Sequence, residues 1–163
     1  MYISKKHFYI IIAAIVILMA MFIIFSIYND NNLNEENDEV IKLVEEFGEA
    51  LKNVSLLAPK DVVVKAIEDN YSPYVTKELL RKWINDPRNA PGRISSSPWP
   101  ERIEISEVER LSEGEYSVKG KIIEVTSTEV GSGGAAAVRA VELIVRRVGN
   151  NWLIDEMTTG KYE

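Results

Sequence analysis

The sequence predicts an α+β protein: an N-terminal transmembrane helix, then about three helices packed on a four-stranded curved antiparallel sheet. Three observations carry this. One uncharged run is long enough to cross a bilayer. Apolar residues after it recur first at helical spacing and then in strict alternation. A stretch rich in proline separates the two regimes.

The uncharged run is Phe8–Tyr28, 21 residues, or about 31 Å as a helix, against a hydrocarbon core of roughly 30 Å. A secretory signal has a shorter apolar region and a small-x-small cleavage site, whereas this run ends Ser26-Ile27-Tyr28-Asn29. It therefore reads as an uncleaved signal-anchor. Lys5, Lys6 and His7 precede it and acids follow it, so the positive-inside bias places the N-terminus in the cytoplasm and the rest outside. The expected localisation is the cell membrane, single-pass. Residues 29 to 39 carry five acids, no base and many asparagines, the composition of a solvated tether. The organisation expected is an anchor at 1–28, a tether at 29–37 and an extracytoplasmic domain at 38–163.

Val40, Leu43, Val44, Phe47, Leu51 and Val54 mark one face of a helix over 38–54, with Asp38 suited to its N-cap. Pro59 fits the first turn of a second helix ending before Asn70, although Val62-Val63-Val64 could also form a strand. Thr76 reads as the N-cap of a third helix with Leu79, Leu80, Trp83 and Ile84 on one face, ended by Asp86-Pro87. Residues 86–100, DPRNAPGRISSSPWP, hold four prolines and a glycine and cannot sustain a regular element. Alternation then predicts strands near 101–110, 114–127, 136–148 and 151–158, with a bulge where the phase slips at Ile122-Ile123. Gly149-Asn150-Asn151 is the turn into the last strand.

Composition removes several function classes. The net charge is -6, and the part after residue 39 is mildly acidic without clustered bases, so nucleic acid is not an expected partner. There is no cysteine, and the single histidine is His7. Disulfides, thiol nucleophiles and thiolate metal sites are excluded, and the domain lacks the residue types that most often bind transition metals or shuttle protons near neutrality. No cofactor, metal site or catalytic constellation is expected.

Helices followed by a meander that closes through Gly149-Asn150-Asn151-Trp152-Leu153-Ile154-Asp155-Glu156-Met157 resemble the cystatin-like half-cone of the nuclear transport factor 2-like superfamily, over roughly residues 38 to 160. That superfamily includes isomerases, dehydratases and cyclases that use Asp and His pairs, and also non-enzymatic domains tethered to bacterial envelopes. The resemblance implies the second branch here, because the domain has no histidine.

Candidate site residues come from the 86–100 loop, since a long aperiodic segment in a small domain is more often functional than idle. Arg88, Arg93 and Trp99, with Ser95–Ser97, suit an anionic sugar or a peptide carboxylate. The competing and favoured reading is that Trp99 plugs the open end of the sheet and the loop covers it. Tyr71 and Tyr74 bracket a Ser-Pro turn and either line the cone mouth or belong to the core. Asp155 and Glu156 point to opposite faces of a strand, so only one can enter a pocket, and Arg146-Arg147 is read as surface ion pairing. The expected function is a non-catalytic, membrane-anchored binding or assembly module of a bacterial-type envelope, whose partner is an envelope protein or a cell-wall component. The alternative is a small-molecule isomerase or hydrolase built on an acid such as Asp155 in the cone pocket.

Overall fold

The computed structural model describes the backbone of residues 5–162, with side chains at 17–23 and 33–162. Two units divide the chain, the first ending at Asp38 and the second running Glu39–Glu163. In sequence order, α1 is Lys5–Ala50, α2 Lys60–Tyr71 and α3 Lys77–Asn85; β1 is Trp99–Ser112, β2 Glu115–Val125, β3 Ala137–Val148 and β4 Asn151–Tyr162. Short 3-10 turns lie at Leu51–Asn53 and Pro87–Asn89.

The class is α+β, but the expected transmembrane helix is corrected. Among the described residues no helix is long and apolar enough to cross a membrane. The uncharged run is also not a separate element, because it belongs to α1, which continues through residues 29–39 to Ala50. The side chains of Lys5, Lys6 and His7, on which the expected orientation rests, lie outside the described residues.

Within the second unit, the apolar periodicity of α1 becomes a buried stripe of Val40, Val44 and Phe47, continued by Leu51 and Val54 beyond a helix that stops at Ala50 rather than at residue 54. The Val62-Val63-Val64 run is helical, with only Val63 of α2's first turn buried. Thr76 caps α3 as its position suggests: its Oγ1 accepts a hydrogen bond from the Leu79 N–H at 3.2 Å.

The sheet is an antiparallel meander in the order β1-β2-β3-β4. Its register aligns one face: Ile103 opposite Ile122, Val118 opposite Leu143, Tyr116 opposite Val145, and Val145 opposite Ile154. These side chains share one core with the helices. The phase slip expected at Ile122-Ile123 is not a bulge in β2, which pairs with β3 without a shift. The irregularity lies across the ladder in β1, between Pro100 and Arg102. Both isoleucines are buried and point to opposite faces, so the doubled apolar pair reflects a sheet covered on both sides at that point.

One contact sets the spacing between helix and sheet. A Cβ on Gly48 of α1 would stand 2.6 Å from the Ile103 backbone nitrogen of β1, so only glycine admits this approach. In an ordinary helix interior, Gly→Ala stabilises by about 1 kcal/mol. Gly48→Ala is expected to destabilise instead, by more than about 1 kcal/mol as overpacking does. Chemical denaturation of the two proteins checks the sign, and a more stable variant would contradict the close approach.

Candidate functional site

Residues 86–98 form a pinned loop, and β1 begins at Trp99 rather than near the expected residue 101. The backbone of Arg93 donates to Val54 O at 2.8 Å and its carbonyl accepts from Leu56 N at 2.9 Å, a short parallel bridge that ties the loop to the segment after α1. The buried Tyr71 hydroxyl donates to Pro91 O at 2.8 Å, and burial pushes its pKa far above the usual tyrosine value, so it stays a neutral donor. Tyr71 also belongs to an aromatic cluster with Phe47 and Trp83, with ring centroids 5.2 to 6.2 Å apart. The loop is thereby anchored to α1, α2 and α3.

Between this loop and the inner face of β3 and β4 lies a cavity of about 220 Å³ lined by Trp83, Arg88, Ile94, Arg139, Met157 and others. A second, of about 430 Å³, lies between the start of α2 and the end of α3 and shares Leu56 and Arg88 with the first. Arg139 is the most constrained charge at the site. Its side chain is 13% exposed and lies 3.8 Å from the Glu124 carboxylate; its guanidinium sits 5.0 Å from the Tyr162 ring centroid. The Tyr162 hydroxyl in turn donates to Glu124 Oε1 at 3.0 Å, and burial, then that carboxylate, raise its pKa against the opposing pull of Arg139.

The structure treats the four sequence-derived candidates differently. Arg88 is exposed and lines both cavities. Arg93 lines neither; its Nη2 donates to Ser96 O at 3.3 Å within the loop. Tyr74 is half-buried against Phe47 at 6.2 Å, its carbonyl accepting from Ile154 N, and is not brought to the cavities. Trp99 is only half-buried and stands outside the core, whose buried tryptophans are Trp83 and Trp152. Its indole N–H donates to Glu101 Oε2 at 3.0 Å, and Glu101 also receives Lys52 Nζ at 2.8 Å. Asp155 accepts from Thr76 Oγ1 at 2.9 Å and pairs with Arg146 at 2.9 Å, which commits it to the start of α3.

Arg139, Lys60 and Glu124 were missed by sequence reasoning, although a signal existed for two of them. Extending the Val141-Leu143-Val145 alternation one step back puts Arg139 on the inner face, and extending Ile122 one step forward puts Glu124 there. Among the described residues no group of three or more His, Cys, Asp or Glu side chains could hold a metal ion. Compared with protein-family models, curated proteins and solved structures, the chain matches none.

Two measurements separate scaffold from surface here. Trp83→Ala should cost about 3 to 5 kcal/mol, as a truncated buried aromatic does, while Trp99→Ala should cost only about 1 to 2 kcal/mol. Equal losses in denaturant unfolding would restore Trp99 as a plug.

The second measurement concerns pH. The Lys52 ammonium, and next the Trp99 indole, hold the Glu101 carboxyl below its usual range against the opposing effect of burial. A depressed folded pKa contributes stability above the unfolded value, about 4.3, and that contribution is lost as pH falls through the folded value. Lys52→Gln should therefore lower the denaturant midpoint at pH 7 and have a smaller effect at pH 3. An equal effect at both would show that the pair is not coupled to folding.

Proposed function

We propose that the chain is a non-catalytic binding or assembly module held at the membrane of a bacterial-type cell envelope. Its working surface is the mouth between the 86–98 loop and the inner face of the sheet. The observation that carries this reading is the loop itself: before β1 begins it has only one short turn of regular structure, yet three hydrogen bonds to the segment after α1 and to Tyr71 fix it beside two cavities. An aperiodic segment held in one shape is the usual form of a recognition surface. The half-cone resemblance supports the same reading, since the domain departs from that superfamily's enzymes in having no histidine.

The membrane part rests on Leu18, Met19, Met21 and Phe22, each more than 60% exposed. Apolar surface of this kind calls for an apolar surrounding. The Lys5-Lys6 pair against the acids of residues 30–39 favours a cytoplasmic N-terminus with Glu39–Glu163 outside. An envelope protein or cell-wall component is the partner class, because the acidic balance disfavours nucleic acid.

The second reading, a small-molecule isomerase or hydrolase, draws on one feature: an inner-face acid, Glu124, within 3.0 Å of the Tyr162 hydroxyl. That carboxylate also faces Arg139 and lines neither cavity, which favours the binding reading.

The full chain, crosslinked in cells and purified from the membrane fraction, tests the proposal. Arg88→Ala with Arg93→Ala should lower partner recovery several-fold while leaving the melting temperature within about 2 °C. Unchanged recovery from the folded double variant would remove the loop as the working surface. A cysteine in place of Leu33 should react with an impermeant thiol reagent on intact cells; labelling only after lysis would reverse the side, and recovery of the chain outside the membrane pellet would remove the membrane.

A further inference from the structure

The two cavities share Leu56 and Arg88, so they form one groove with Arg88 at its waist. Its charged lining is Lys60, Arg88 and Arg139 against the single acid Asp86, an inversion of sign in a chain of net charge -6. Asp86 is already engaged, its Oδ2 accepting from Asn89 Nδ2 at 3.0 Å. Lys60 and Arg88 have no ion-pair partner among the described residues. A groove with an excess of one sign, walled by low-dielectric protein, concentrates the opposite charge.

The smaller cavity narrows the ligand class. Arg139 is laid over the Tyr162 ring and reaches Glu124 only at 3.8 Å, so its planar fork is oriented while its charge is incompletely answered. A fixed guanidinium matches a planar carboxylate. Leu56, Trp83, Ile94 and Met157 set an apolar patch among the polar groups of Arg88, Asn89, Arg139 and Thr159, a place for one apolar side chain beside a bound carboxylate. At about 220 Å³ the cavity is below the usual range for a whole small-molecule ligand, roughly 300 to 1,000 Å³. The ligand therefore fills it with one terminal group and continues into the larger cavity beside Lys60.

We infer that the groove binds the carboxyl end of an extended peptide. The terminal carboxylate meets Arg139 and Arg88, the last side chain is apolar and rests on Trp83 and Met157, and the preceding residues cross Leu56 toward Lys60. This deepens the proposed binding function and rests on it.

The test uses the full chain purified in detergent micelles and the tripeptide N-acetyl-Ala-Ala-Leu, as free acid and as amide, followed by calorimetric titration. The free acid should bind at least about tenfold more tightly than the amide, the loss expected when one charge-assisted contact is removed. Arg88→Gln should weaken the acid about three- to tenfold and leave the amide unchanged; because Arg88 is exposed, this variant keeps its fold. Arg139→Gln should abolish binding, with its melting curve recorded beside it. Equal affinity for acid and amide, no binding of either, or an Arg88→Gln variant indistinguishable from the parent would overturn the inference. So would glucuronate or inorganic phosphate binding as tightly as the tripeptide, which would make the groove a site for acid sugars or for anions in general. If the tripeptide fails while partner recovery still depends on Arg88 and Arg93, the peptide-end inference falls and the binding function stands. If the tripeptide binds and recovery is indifferent to both arginines, the reverse holds.

Discussion

The approach of α1 to β1 at Gly48 is the constraint on which the rest of the domain depends. With no Cβ between them, helix backbone and strand backbone come to van der Waals distance. That proximity lets Phe47, one residue away, reach Tyr71 and Trp83 with its ring nearly parallel to the indole, at 8°. The aromatic cluster then holds α2 and α3 over the sheet, and the Tyr71 hydroxyl carries the arrangement outward to Pro91. The position of the loop thus follows from a helix–sheet distance set some forty residues earlier. A second close approach repeats the device at the loop itself, where a Cβ on Gly92 would stand 2.6 Å from Val54 O.

Much of this architecture is legible in the sequence because it follows from short-range rules. Thr76 before an amphipathic turn, the alternation around Leu143, and Gly149 with positive φ in the last hairpin each declare their local structure. What the sequence conceals has long-range causes. The continuity of α1 through Asn-rich residues cannot be read from propensity, since Asn and Asp are poor helix formers and helix propagation from both flanks overrides them. The doubled isoleucine of β2 imitates a bulge because alternation assumes one wet face, and here both faces are covered.

The site follows the same division. Arg88 stands out as a cation in a proline-rich loop, and the groove uses it. Arg93 and Trp99 stand out for the same reason, yet the first turns its guanidinium back to Ser96 and the second reaches Glu101. Composition identifies which loop is unusual but not which of its side chains face a cavity, because that depends on elements elsewhere in the chain. Arg139 belongs to a strand whose alternation gives its inward direction, but the cavity it lines is completed by Arg88, Pro91 and Ile94 of the loop, which no local pattern announces.

The joint between α3 and β4 has a kinetic consequence. The Thr76 amide donates to Ile154 O, the Ile154 amide to Tyr74 O, and the Thr76 hydroxyl to Asp155, a partner 79 positions away. The sheet is otherwise a succession of hairpins, each able to zip from its own turn at small entropic cost. The helical layer cannot complete its attachment at that pace, because the start of α3 finds its partners only after the whole meander has formed. Contacts of this span raise the contact order of a domain whose strand topology alone would predict quick folding. The attachment of α3 to the sheet therefore has to wait for β4, whereas α1 can meet β1 without it.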